Sequence, residues 1–317
     1  MPGATKRASL GKEQGAPVMA ASQRIASATA FRATLASLWA MVAALALVTT
    51  AGAAPPKTVS FLSDDGTTKL VGYLFAPEAA HGPAPAVVMM HGRAGPYSSL
   101  AKGIYDATTL SKRTKEWAAI WSAQGYWALV VDGFGPRGYP KGFAAGTDGT
   151  RPAAVNEITV RPLDAYAGLK FLRSLAGVNP DRVAIQGWSN GGTATLASLS
   201  DDALAASGLP AGKGFRAALA FYPGCGLQGA FKEGYRATAP VRVFIGIDDE
   251  EVSPEACSKL VKKATATGSD IALTTYAGAT HDFDDPGEKR QGVPANVAAA
   301  ADARQQAVAF FAAQLAP

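Results

Sequence analysis

The chain has 317 residues, 48% of them hydrophobic and 17% charged, which is typical of a globular protein with a sizeable core. Its net charge of +5 comes mostly from the N-terminus, because the sequence after residue 53 contains 25 basic and 24 acidic residues. A body so close to neutral, without a basic cluster, argues against nucleic-acid binding.

Residues 1–53 are predicted to be a signal peptide. An uncharged, apolar stretch over 34–50 follows several basic residues, and the small residues 51–53 fit the rule for signal cleavage. We place the cut after Ala53, because a later cut would leave Pro55 in the disfavoured position; translation from Met19 is an alternative start. The mature protein is therefore expected to be exported, to the periplasm or out of the cell.

An uncleaved membrane anchor is the alternative interpretation of the same segment. Its strongly apolar part, 35–48, is shorter than the roughly 20 residues that a membrane-spanning helix needs. We therefore expect no membrane attachment after cleavage.

Strand-like and helix-like segments alternate from residue 58 onward. Eight strands are predicted, at 58–63, 69–77, 85–92, 126–135, 182–189, 217–224, 241–248 and 271–278. Five helices are predicted, at 112–125, 163–177, 190–200, 253–268 and 295–315.

This order predicts one α/β domain over 54–317. The first two strands are expected to be antiparallel, and most of the others parallel, because helices connect them. The result is a mostly parallel, twisted sheet of about eight strands with helices on both faces. In the second helix, Leu163, Ala167, Phe171 and Leu175 have the spacing of a buried face.

Both cysteines, Cys225 and Cys257, lie in the part that would be exported. An even cysteine count in an exported chain favours a disulfide, with two buried free thiols as the alternative.

Gly187, Ser189 and Gly191 form a G-x-S-x-G motif between a predicted strand and a predicted helix. In a nucleophile elbow this context puts the serine on a strained turn, with its hydroxyl exposed beside the positive end of the helix. Side chains at 187 or 191 would collide with the neighbouring strand or helix. The motif therefore predicts Ser189 as a nucleophile, with a bystander serine in a glycine-rich turn as the alternative.

A serine nucleophile needs a base, and the chain has only three histidines. His81 lies in a polar stretch where a surface position is expected. His91 precedes Ser189, which is the wrong chain order for a strand-to-helix serine hydrolase. His281 follows the last predicted strand, so elimination leaves it as the base.

The acid should follow a strand between the serine and the histidine. Asp248 and Asp249 end the strand over 241–248 and are followed by Glu250 and Glu251. One carboxylate can orient the imidazole and stabilise its charged form. Spacing alone does not choose between the two aspartates, and the other acids could form a solvated turn.

The sequence resembles the α/β-hydrolase fold and, within it, the dienelactone hydrolase-like family. The matching stretches cover about residues 68–285 and are, in family order, VVMMHGRAG, ALVVDGFGPRG, DRVAIQGWSNGG, FYPGC, IGIDDEEVSPEAC and YAGATHDF. The resemblance implies that Ser189 is the nucleophile and His281 the base. The family's G-x-x-D…V pattern, matched by Gly246 and Val252, implies Asp249 as the acid, with Asp248 as the fallback.

The resemblance also implies an oxyanion hole and a disulfide. The donors of the oxyanion hole would be the backbone N–H groups of Asn190 and, in the loop after the third strand, Arg93. Relatives that resemble this chain carry the same cysteine pair, which supports a Cys225–Cys257 bridge beside the loop of the acid.

At two positions the sequence departs from the dienelactone hydrolases, and at a third the role of the residue is open. Those enzymes use a cysteine nucleophile and carry a glutamate after the third-strand histidine, whereas this chain has Ser189 and Gly92. Ester hydrolysis by a serine triad is therefore favoured over dienelactone hydrolysis. Arg137, in a family-like loop, could meet a substrate carboxylate or tie loops together.

The predicted function is an exported serine hydrolase that cleaves carboxylic esters or lactones, with a small-molecule ester or lactone as its partner. The alternatives are a peptidase or polyester hydrolase with the same triad, and a catalytically silent binding protein. Because no residues have metal-ligand spacing and no phosphate-binding loop is present, no metal, nucleotide or other cofactor is predicted.

Overall fold

The computed structural model describes residues 55–79, 82–231 and 234–317. The predicted signal peptide and His81 lie outside these residues. Eight strands form one sheet: β1 (Lys57–Leu62), β2 (Lys69–Phe75), β3 (Ala84–Met90), β4 (Trp127–Asp132), β5 (Val178–Trp188), β6 (Ala218–Phe221), β7 (Val241–Gly246) and β8 (Ile271–Tyr276).

Seven α-helices lie between or after these strands in the described residues. They are α1 (Lys112–Ala123), α2 (Arg161–Arg173), α3 (Asn190–Ser198), α4 (Asp201–Ala206), α5 (Pro254–Ala266), α6 (Glu288–Gln291) and α7 (Pro294–Gln314). The short helices α4 and α6 were not predicted from the sequence.

The strand order is β1-β2-β4-β3-β5-β6-β7-β8. β2 pairs antiparallel with β1 and β4, and every other pairing is parallel. The predicted fold class, a mostly parallel sheet of about eight strands, is confirmed.

Helices cover both faces of the sheet. Neighbouring residues of a strand point to opposite faces, so each strand contacts helices on both sides. A Cβ at Gly168 of α2 would touch Val88 of β3. On the other face, Trp121 of α1 donates a hydrogen bond to Gln186 of β5 and packs on Phe311 of α7.

The predicted buried face of α2 is only partly right: Ala167 is buried, and Phe171 and Leu175 pack against the core. Leu163 and Phe171 are only partly buried, whereas Ala165, Leu169 and Leu172 are buried. α2 lies between the sheet and α3, to which Tyr166 donates a hydrogen bond at the Ser198 carbonyl. A helix covered on two sides has no single apolar stripe to read from its sequence.

The chain passes from β3 to β4 on one side and then crosses to β5 on the other. In such sheets a crevice opens beyond the carboxyl ends of the strands where the direction of winding reverses. The loops after β3 and β5, which hold Arg93 and Ser189, meet at this point. Within the described residues, no helix is both long enough and apolar enough to cross a membrane.

Candidate active site

Ser189 forms the corner between β5 and α3, with φ 52° and ψ −118°. Left-handed backbone is strained for a serine, so the surrounding structure must enforce it. A Cβ at Gly187 would lie 2.1 Å from the Gly191 carbonyl oxygen, and one at Gly191 would lie 2.0 Å from the Met90 carbonyl oxygen. The two glycines therefore let the elbow pack against its own helix and against β3.

Ser189, His281 and Asp249 form one hydrogen-bonded chain. His281 Nε2 lies 2.9 Å from Ser189 Oγ, and His281 Nδ1 lies 2.9 Å from Asp249 Oδ2. Because a carboxylate only accepts, Nδ1 carries the proton and Nε2 is free to accept from the serine hydroxyl. The histidine and aspartate side chains are 1% and 0% exposed.

The structure places Asp249, and not Asp248, at the imidazole. Asp249 Oδ1 also accepts from the backbone N–H groups of Glu251 and Val252, at 2.9 Å each. Asp248 is exposed. The chain turns immediately after β7, so two neighbouring aspartates end up on opposite sides of the loop.

The pKa of His281 is raised above its usual value. Burial opposes the charged imidazolium, but the hydrogen bond to Asp249 and the charges of Asp282, Asp249 and Glu251 outweigh burial. The surroundings therefore favour the protonated form that a base acquires when it takes a proton.

The two predicted oxyanion donors flank Ser189. Asn190 begins α3, and a Cβ at Gly92, the neighbour of Arg93, would lie 3.5 Å from Ser189 Cβ. Among the described residues, neither the Asn190 nor the Arg93 backbone N–H has a hydrogen-bond acceptor. Both amides are thus free to donate within the described part of the chain.

The dienelactone hydrolase family matches residues 70–315. The chain belongs to the dienelactone hydrolase family. This match confirms the resemblance seen in the sequence motifs, and it places the chain among hydrolases. A comparison with curated proteins finds no match.

Solved structures share the fold at low sequence identity. The dienelactone hydrolase-like promiscuous phosphotriesterase P91 from metagenomic libraries is 22% identical with a TM-score of 0.59, and the match covers 83% of this chain and 99% of that one. For the esterase Est2 of Thermogutta terrifontis the identity is 17%, the TM-score 0.56 and the coverage 83% and 96%. A Mycobacterium tuberculosis puromycin-hydrolyzing peptidase is 20% identical with a TM-score of 0.58, and the match covers 86% of this chain and 42% of that one.

His91 has a defined protonation state that sequence reasoning did not consider. Its Nδ1 donates to the Gly92 carbonyl oxygen at 2.8 Å, and its Nε2 accepts from the Gly133 N–H at 3.3 Å. Burial and the nearby Arg161 charge hold the pKa of His91 well below its usual value. His91 is therefore a neutral residue that holds one carbonyl group in place.

Arg161, which is fully buried, links the two loops beside Ser189. Its Nη1 donates to the His91 carbonyl oxygen at 2.7 Å and to Asn190 Oδ1 at 2.5 Å. No spacing in the sequence pointed to this residue, because it starts a helix far from the elbow along the chain.

Glu250 and Glu251 make specific contacts and do not form a merely solvated turn. Glu250 accepts from the backbone N–H of His281 at 2.9 Å and pairs with Arg290 at 2.7 Å. Glu251 pairs with Arg93 through two hydrogen bonds, of 2.8 and 2.5 Å, and lies 3.6 Å from His281 Nε2. The acidic run therefore holds the histidine backbone and adds negative charge beside the imidazole.

A buried carboxylate joins the histidine loop to the elbow. Asp284 accepts hydrogen bonds from Trp188 (2.9 Å), Trp117 (2.7 Å) and Tyr222 (2.5 Å). Trp188 precedes the serine directly, and Asp284 follows His281 by three residues. This contact limits how far the two reacting groups can move apart.

Cys225 and Cys257 form a disulfide that links the loop after β6 to α5. Arg137 binds Asp164 and Asp65 through hydrogen bonds of 2.7 to 2.9 Å and is almost buried. These contacts favour the loop-tying role of Arg137 over contact with a substrate carboxylate. Within the described residues, no group of histidine, cysteine and acidic side chains has the arrangement of a metal site.

Proposed function

We propose that this member of the dienelactone hydrolase family is an exported serine hydrolase that acts on carboxylic esters or lactones. The observation that carries the proposal is the hydrogen-bonded chain from Ser189 Oγ through His281 to the buried Asp249. The Cys225–Cys257 disulfide supports export, because such bonds persist mainly in oxidising compartments.

The reaction starts with proton transfer from Ser189 to His281 Nε2 as Oγ attacks the acyl carbon. Asp249 keeps the imidazole in the tautomer that can accept this proton and stabilises the charge that forms. His281 then returns the proton to the leaving alcohol, which departs and leaves an acyl-enzyme. Water, activated by His281, releases the acid and restores the serine.

The negative charge on the tetrahedral intermediate would be met by the N–H groups of Asn190 and Arg93. His91 acts here as a positioning residue. It holds the Gly92 carbonyl, which shares a rigid peptide plane with the Arg93 N–H, so the direction of one fixes the direction of the other. Arg161 keeps this loop and the Asn190 side chain together.

Replacement of the nucleophile tests the proposal. In the mature protein, Ser189→Ala should lower the kcat for p-nitrophenyl acetate by several orders of magnitude, to about the level left by the oxyanion hole and binding alone. Ser198→Ala, which removes a buried hydroxyl bonded to the Ala194 carbonyl in the same helix, serves as the matched control. Equal turnover by Ser189→Ala and the wild type would refute the assignment.

A panel of amide, polyester and small-ester substrates separates the esterase from a peptidase or polyester hydrolase with the same triad. Labelling of Ser189 by a fluorophosphonate separates any of these enzymes from a silent binding protein, because only an activated serine reacts.

A further inference from the structure

A cavity of about 350 Å³ opens beside Ser189 and Asn190. Six charged residues line it: Arg93, Arg151, Asp148, Glu157, Glu250 and Glu251. Four of the six are acidic. A substrate that reaches Ser189 therefore contacts a cavity lining with more acidic than basic side chains.

Five of these six charges already have partners. Arg93 pairs with Glu251 at 2.5 Å, Arg151 pairs with Asp148, and Glu250 pairs with Arg290 outside the lining. Both arginines are thus neutralised by a carboxylate of the protein. Neither is a free receptor for a carboxylate on the substrate.

Glu157 is the exception. Its residue is only 8% exposed, yet among the described residues its carboxylate forms no hydrogen bond and no ion pair. The carboxylate oxygens are not sealed off from solvent, so the charge of Glu157 faces whatever enters the cavity. A cavity-facing carboxylate of this kind is suited to a ligand that brings the missing charge.

Arg161, four residues further along the chain, does not supply this partner. Its Nη1 donates to the His91 carbonyl and to Asn190, its Nε and Nη2 have no acceptor among the described residues, and no ion pair joins it to Glu157. Burial lowers the pKa of Arg161 to about 10, and the charges of Asp164 and Glu157 oppose this lowering. The charge of Glu157 thus favours the charged form of Arg161 without an ion pair between the two side chains.

We propose that Glu157 binds a positively charged group of the substrate, so that this enzyme prefers esters with a cationic substituent on the acyl or the alcohol part. The proposal rests on the proposed ester hydrolysis and adds the substrate class to it. Esters that carry a carboxylate would be disfavoured by the same lining.

Matched pairs of esters, in which a quaternary carbon replaces a quaternary nitrogen, isolate the effect of the charge. For the acyl side the pair is p-nitrophenyl 4-(trimethylammonio)butanoate and p-nitrophenyl 5,5-dimethylhexanoate. For the alcohol side it is acetylcholine and 3,3-dimethylbutyl acetate. In at least one pair, the wild type should show the higher kcat/KM for the cation.

Glu157→Gln keeps the shape of the side chain and removes its charge. It should lower the ratio of cation to neutral kcat/KM about tenfold or more, as expected for the loss of a close charge pair in a partly buried site. The kcat/KM for the cationic ester should fall by more than that for the neutral ester. Glu157→Asp, which keeps the charge, should retain the preference, and Glu78→Gln removes an exposed charge outside the cavity as the control.

The neutral ester separates the two proposals. If the wild type hydrolyses it but the ratio is the same in Glu157→Gln for both pairs, the cation proposal is wrong. An equal loss for cation and neutral ester would also overturn it, because Glu157 would then act only through Arg161.

Binding provides a readout that needs no turnover. In the Ser189→Ala background, calorimetric titration should show tighter binding of choline than of 3,3-dimethylbutan-1-ol, and Glu157→Gln should abolish the difference. Equal binding of the two alcohols would contradict the proposal even in a protein that cleaves no ester.

Discussion

The carboxylates around His281 and the carboxylate of Glu157 in the cavity differ in how far the protein itself supplies their partners. Asp249 and Asp284 each accept several hydrogen bonds from the protein, and Glu250 joins the His281 backbone to Arg290. Glu157 is 8% exposed, its oxygens reach the solvent of the cavity, and it accepts no hydrogen bond from the described residues. The carboxylates around His281 have hydrogen-bond partners in the protein, whereas the one that we propose binds a ligand has none among the described residues.

The largest expected effect comes from replacing the Asp249 carboxylate, which holds the His281 imidazole. Asp249→Asn should lower kcat by about four orders of magnitude, because the imidazole loses both its tautomer control and the charge that stabilises its protonated form. Asp248→Asn should have little effect, since Asp248 is exposed. Steady-state kinetics with p-nitrophenyl acetate compare the two, and the reverse order of effects would give the role to Asp248.

Loss of the disulfide tests how much the bridge between the loop after β6 and α5 contributes to the stability of the fold. The bridge spans 32 residues along the chain. In the chain-entropy model, replacement of both cysteines by serine should lower the free energy of unfolding by about 3 to 4 kcal/mol. Denaturant titration measures the loss, and an unchanged midpoint would show that the bridge contributes nothing to stability.

His91 provides a finer test of the loop after β3. His91→Asn can still offer an amide N–H near the position of Nδ1, whereas His91→Gln places its amide near Nε2. We expect His91→Gln to lower kcat by about 10- to 100-fold with KM nearly unchanged, below the loss for removal of an oxyanion donor. His91→Asn should restore much of this loss; equal activities for the two variants would argue against positioning through Gly92.

The smallest expected effect is a displacement of the pH profile. The acid limb of kcat/KM reports the pKa of His281, which is raised by its hydrogen bond to Asp249 and by nearby charges that include Glu251. The neutral imidazole is the base, so removal of a negative charge in Glu251→Gln should move the limb to lower pH. Glu255→Gln, on the exposed surface of α5, should leave the limb in place, and a shift to higher pH for Glu251→Gln would contradict this account.

The sequence predicted which side chains the structure brings together at the elbow better than it predicted their surroundings. Ser189 stands in a motif whose glycines are required by backbone packing, and His281 followed from elimination among three histidines. His91, Arg161, Asp284 and Glu157 carry no such signal, because their partners come from distant segments that only the fold brings together. The predicted buried face of α2 was incomplete for a related reason, since α3 covers a side that the pattern assigned to solvent.

The central claim, that His281 activates Ser189, is tested most directly by covalent trapping. Wild-type protein, Ser189→Ala and His281→Ala are incubated with a fluorophosphonate, and the adduct is located by peptide mass spectrometry. We expect one adduct, on Ser189, in the wild type, none in Ser189→Ala and much slower labelling in His281→Ala. Labelling of another residue, or equal rates in the wild type and His281→Ala, would contradict the account.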